Sequence, residues 1–119
     1  MSTDARVLSF LQDMLEHAEY AAGFVAGVDR SAFESDVEKQ FAVVRALEVV
    51  GEAAKAIPRE TRDLAPEIPW KQITAMRDKL IHHYFGVDVE IVWGSATDDV
   101  PTLIRQLAAL LKKLRTDET

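Results

Sequence analysis

Apolar residues recur at three- and four-residue steps through most of the chain, and no strand-length run alternates between apolar and polar. Val7, Leu11, Met14, Ala18, Ala21 and Val25, flanked by Leu8, Leu15 and Ala22, form a wide stripe with helical period. The pattern predicts a first helix over 4–27. Ser2 or Thr3 is its expected cap, with Asp4 favourable near the positive helix end, and Gly27 and Asp29 mark its stop. A second helix is predicted over 31–57. Ser31 and Glu34 have capping-box spacing, and Phe33, Val37, Phe41, Val44, Leu47, Val50, Ala54 and Ile57 supply the buried stripe. Gly51 lies inside this helix, where it costs about 1 kcal/mol relative to Ala. That cost predicts a close approach by another helix. Glu48, Glu52 and Lys55 run beside Gly51 and read as a solvated charged face in preference to a buried polar role.

Pro58, Pro66 and Pro69 bracket the main connection of the chain, because proline breaks a helix interior. One short turn is expected around Glu60–Leu64. Trp70–Phe85 form the third long helix, with Ile73, Met76, Leu80 and Ile81 on its apolar face and Gly86 as its cap. Asp88–Arg115 supply the last helical stretch. Asp88 suits its N-cap, and Lys112, Lys113 and Arg115 suit its negative end. Gly94 and Pro101 predict a kink or a fresh start near Asp98–Pro101. Four long helices joined by short connections imply one all-α domain over residues 1–119, an antiparallel four-helix up-and-down bundle with a short extra helix.

A chain of 119 residues can bury a core without staples. It has no cysteine, so disulfides and thiolate metal sites are excluded, and a reducing cytoplasm is the expected location. The N-terminal run has acids among its apolar residues and is expected to be neither a signal peptide nor a membrane span. The formal charge of −6 does not attract nucleic acid over the whole surface. Any action on RNA then needs a local basic patch or a basic partner.

The segment 76–86 concentrates the chemistry. It carries Arg77, Asp78, His82, His83 and Tyr84, including two of the three histidines. A guanidinium can grip a phosphate through parallel hydrogen bonds at any working pH. An imidazole titrates near neutrality and can pass a proton between two oxygens. Arg77 and His82 are therefore sufficient in kind to cut RNA without a metal. The histidine would assist attack by a ribose 2′-OH, and the arginine would offset charge on the phosphate. At ~100° per residue these two side chains lie ~140° apart around one helix. A cleft between two copies collects them more easily, so a homodimer is expected. By residue type alone a structural reading is the stronger. A histidine in a last helical turn gains about 0.3–1 kcal/mol from the dipole without any function. His82 and His83 are a poor metal pair, and Asp78 with His82 offers only two ligands. His17, between Glu16 and Glu19, reads as a surface residue.

The ordered motifs reverse that balance. Arg77-x4-His82-x-Tyr84 resembles the R-x4-H-x-Y signature of HEPN domains of the HepT-like toxin family. Leu47–Lys55, Ile68–Ile73 with Met76–Asp78, Tyr84–Asp88, Val92-Trp93 and Asp99–Leu103 resemble its other segments, in order, across most of residues 40–110. The resemblance implies a HEPN-like helical bundle that pairs into homodimers. It implies a metal-independent ribonuclease toxin of a type VII-like system, with RNA as substrate and no cofactor. The expected partner is a minimal nucleotidyltransferase antitoxin that silences the toxin by adenylylating the motif tyrosine. Carried over by position, Arg77 and His82 are catalytic, Asp78 is supporting and Tyr84 is the modified residue. A non-catalytic nucleotide- or substrate-binding adaptor for the nucleotidyltransferase is the alternative.

Overall fold

The computed structural model describes residues 3–82 and 88–117, without the side chains of Ile81, His82 and Asp117. Four long helices carry the fold: α1 (Ala5–Val25), α3 (Val37–Lys55), α5 (Trp70–His82) and α7 (Val100–Asp117). Three short ones join them: α2 (Arg30–Glu34), α4 (Arg59–Arg62) and α6 (Val89–Gly94). A π-helical turn, Ser95–Asp99, leads into α7. Among the described residues every element is helical, as the periodicity predicts. No described helix is long and apolar enough to cross a membrane.

α1 packs between α3 and α7, and α3 in turn packs against α5. The expected stripes supply much of the core, with Leu11, Met14, Ala18, Val50, Leu107 and Leu111 nearly or fully buried; on α3 the fully buried residue is Val43, and its expected neighbour Val44 is only partly buried. Phe33 is fully buried on α2 and meets the Trp93 ring at 5.2 Å. A groove of about 450 Å³ separates Ile73 and Met76 of α5 from Val100 and Leu103 of α7.

The second helix is not continuous. Asp29 caps α2 by accepting from the Ala32 N–H, and Asp36 caps α3 by accepting from the Lys39 N–H. Ser31 is not a cap; its carbonyl accepts from the Ser35 hydroxyl at 2.9 Å. Aspartates rank among the best N-cap residues, and two of them, seven positions apart, make two helix starts in place of one. The break also turns Val37 and Phe41 outward. They are 57% and 71% exposed, so the expected stripe does not bury them. At the chain start Asp4, not Thr3, is the cap of α1. That helix ends at Val25, and Gly27 follows with φ 73°, a conformation glycine adopts without steric cost.

The other expected boundaries agree more closely. α4 supplies the turn between the prolines, and Asp88 caps α6 through the Glu90 and Ile91 N–H groups. The interruption near Pro101 is the π-helical turn, in which the Val100 N–H reaches the Ser95 carbonyl. Pro101 lacks the N–H that a regular α-helix would use there. The expected end of the third helix at Phe85, with Gly86 as cap, lies outside the described residues.

Candidate functional site

At Gly51 of α3, α5 comes close enough to leave no room for a side chain. A Cβ built on Gly51 would lie 2.1 Å from the Arg77 Cβ and 2.7 Å from its Cγ. The absent side chain is the slot into which the arginine stem packs. The expected close approach is therefore present, and its partner is a residue singled out for chemistry.

The guanidinium beyond that stem is bracketed by carboxylates. Arg77 Nη2 forms an ion pair with Glu52 Oε2 at 2.5 Å, and Nη1 donates to Asp78 Oδ1 at 3.1 Å. Asp78 Oδ1 also accepts from Lys55 Nζ at 2.8 Å. Arg77 is the most enclosed of the four, with its side chain 21% exposed, against 65% for Glu52. Lys55, ahead of Arg77, holds the Asp78 carboxyl below the usual carboxylate range. Asp78 thus contributes to stability above its ordinary pKa, and the contribution is lost as pH falls through the depressed one. At neutral pH the cluster is two cations and two anions.

Arg77 also borders a shallow groove of about 550 Å³, which it shares with Phe10 and Asp13 of α1 and Arg45, Glu48 and Glu52 of α3. Arg45 is exposed at this rim and meets Glu48 at 3.4 Å. The groove is therefore of mixed charge rather than basic.

His82 belongs to the last described turn of α5, five residues beyond Arg77. His83 and Tyr84 lie outside the described residues. The structure brings Arg77 and Asp78 together; the His82 side chain is not among those described. His17 is less exposed than expected. Its Nδ1–H donates to the Asp13 carbonyl at 2.9 Å, and its ring sits edge-on to Tyr20. Among the described residues no three His, Asp or Glu side chains gather where they could hold a metal ion.

Glu52 and Lys55 are exposed, as expected of a solvated charged face. What sequence reasoning missed is that each pairs with the Arg77-Asp78 dipeptide. A signal was present. Gly51-Glu52 with Lys55 on one helix is the charge complement of Arg77-Asp78 on another.

The fold and this cluster define an all-helical domain with an arginine-centred charged site on its third long helix. Residues 14–110 match the family described as Ribonuclease HepT-like, and the chain belongs to that family. It is 45% identical over 103 residues to a protein named "Probable ribonuclease HepT" from Thermococcus cleftensis, covering 87% of this chain and 94% of that one. It is 38% identical over 112 residues to a candidate RNase from Methanocaldococcus jannaschii, covering 94% of this chain and 93% of the relative. A candidate RNase from Caldanaerobacter subterraneus is 39% identical over 104 residues, covering 87% and 93%. No solved structure matches the chain.

Proposed function

We propose that this protein is a metal-independent endoribonuclease toxin that works as a homodimer with RNA as its substrate. The observation that carries the reading is Arg77, its stem seated at Gly51 and its guanidinium at the rim of a groove, on the helix whose last described residue is His82. Membership of a family described as ribonuclease supports it.

In the proposed reaction, His82 accepts the proton of a ribose 2′-OH. The freed oxygen attacks the adjacent phosphorus, the bond to the 5′-oxygen breaks, and that oxygen leaves with the proton returned by the imidazolium. The products are a 2′,3′-cyclic phosphate and a 5′-hydroxyl. Arg77 offsets the charge that builds on the phosphate oxygens. DNA lacks the 2′-OH and is spared. The test is cleavage of cellular RNA by purified protein in EDTA, with the ends identified. Cyclic phosphate ends in the presence of chelator are expected. Failure to cut any cellular RNA would favour the adaptor reading instead.

Arg77 and His82 lie five residues apart on α5, which is ~7.5 Å along the axis and ~140° around it. One helix therefore cannot aim both at one small point, and two copies facing a common groove can. Sedimentation is expected to give a dimer at working concentration. A monomer that cleaves RNA at full rate would remove the composite groove.

We also place the chain in a type VII-like toxin–antitoxin pair with a minimal nucleotidyltransferase. In this reading the Tyr84 hydroxyl attacks the α-phosphorus of ATP, pyrophosphate leaves, and AMP remains on the tyrosine. A phosphate on Tyr84, seven residues after Arg77, would occupy the arginine and repel RNA. Tyr84→Phe is expected to retain RNA cleavage and to escape the antitoxin, read as growth arrest during co-expression. Full protection of cells expressing Tyr84→Phe would rule out covalent silencing.

A further inference from the structure

We propose that Glu52 and Lys55 of α3 are positioning residues for the Arg77 guanidinium, Glu52 directly and Lys55 through Asp78. This rests on the proposed ribonuclease reading, which it deepens by assigning two further residues to the site.

The geometry is a crossed pair of contacts. Glu52 meets Arg77 Nη2, and Lys55 meets the same Asp78 oxygen that accepts from Arg77 Nη1. The two ends of the guanidinium fork are thus held from both helices, while Gly51 seats the stem. Rotation about the last bonds of the side chain would break one contact or the other. An arginine has five N–H donors, and among the described residues two carboxylates, Glu52 and Asp78, engage them. The remainder can address a phosphate. The arrangement holds the guanidinium without exhausting it.

The balance of charge points the same way. Glu52, Lys55, Arg77 and Asp78 total zero, so the resting cluster is not an electrostatic trap for any polyanion. Ground-state attraction for RNA is weak there, and the guanidinium's hydrogen bonds act where negative charge develops. Interactions made only in the transition state raise kcat, whereas indiscriminate attraction lowers KM. Removing the Glu52 charge leaves a net positive, loosely held arginine. Tighter ground-state binding and slower turnover should follow together.

The contacts are exposed enough that their contribution to folding is small. Ion pairs at a surface add little to stability. A displacement of a catalytic group by about 1 Å can cost on the order of 10²-fold in rate. Function should therefore move far more than stability, which separates positioning from a merely structural role.

The experiment measures kcat, KM and melting temperature for wild type, Glu52→Gln, Lys55→Met, Lys55→Arg and His82→Ala. Glu52→Gln is expected to lower kcat by about 10- to 100-fold with KM unchanged or lower. Lys55→Met should lower kcat in the same direction, and Lys55→Arg should restore it. Both should melt within a few degrees of wild type. An unchanged kcat in Glu52→Gln would overturn the proposal. So would a gain in kcat/KM, which would make Glu52 a competitor for the phosphate. If wild type cuts no RNA, the ribonuclease reading fails by itself, and positioning is read by NMR of the Arg77 guanidinium, assigned through Arg77→Lys. Restricted rotation about its Cζ–Nε bond in wild type, lost in Glu52→Gln, is expected. Identical spectra would overturn the proposal independently of activity.

Discussion

Gly51→Ala is expected to lower the melting temperature by about 4–8 °C, at matched protein concentration, and to reduce RNA cleavage by on the order of 10²-fold. Two effects of opposite sign decide the stability change. Alanine is preferred over glycine in a helix interior by about 1 kcal/mol, which favours the variant. Against this, the new methyl would lie 2.1 Å from the Arg77 Cβ and 3.3 Å from the Ile73 carbonyl oxygen. Comfortable carbon–carbon separation is about 3.5–4.0 Å, so α3 and α5 would have to part by more than ~1 Å. Overpacking of this kind typically costs about 1–3 kcal/mol. The obstructing atoms are the first carbons of a side chain and a backbone oxygen, neither of which can swing aside. The clash therefore outweighs the gain in helix preference. Activity falls further than stability because the atoms displaced are the stem of Arg77. A variant that melts at or above wild type would mean that α5 does not sit where the geometry puts it. Differential scanning calorimetry and the RNA assay read both halves of this expectation.

The helical architecture was legible because period is a property of many residues at once. The stripe of α1 and the apolar positions of α7 survive any single misassignment. Boundaries were less legible, because they depend on single residues in competition. Ser31 with Glu34 has the spacing of a capping box, yet Asp29 and Asp36 hold the two helix starts. Phe41 has the right period for burial but sits on a face that none of the described elements covers. Periodicity says which residues share a face, not whether a neighbour lies against it.

The site divided along a similar line. Gly51 was legible as a place of close approach, since a glycine inside an otherwise good helix needs a reason. Which side chain fills the space was not, because that requires knowing the register of α3 against α5. Glu52 and Lys55 were ambiguous for the same cause. A charged residue near a helix surface looks identical whether its partner is water or an arginine on another helix. Only the register makes Glu52 face Arg77 and Lys55 face Asp78. Once α3 and α5 are set side by side, the order of charges on one is complementary to the order on the other. Pairs of short charged motifs of opposite order, beside an unexplained helical glycine, are thus a usable signal for helices packed side by side.

His82→Ala and Arg77→Ala should each lower kcat for RNA cleavage by at least about 10²-fold, with His82→Ala reaching about 10²–10⁴-fold. The two losses have different origins. In the proposed reaction, loss of His82 leaves the 2′-hydroxyl to surrender its proton to water, which is a poor base, and the general-base contribution disappears. Without Arg77 the proton transfer remains possible, but charge on the phosphate oxygens is no longer offset. If both groups act on one transition state, the double variant should be no more than a few-fold slower than the worse single one, because residues that act as a unit are strongly non-additive. Multiplying losses would instead place them in separate steps. Melting temperatures should respond differently at the two positions. Arg77→Ala removes the side chain beyond Cβ from the slot over Gly51 and leaves Glu52 without its cation, so a measurable drop is expected there. A cleavage rate that follows the melting temperature rather than the residue removed would make Arg77 a packing element, and the ribonuclease reading would lose its principal residue.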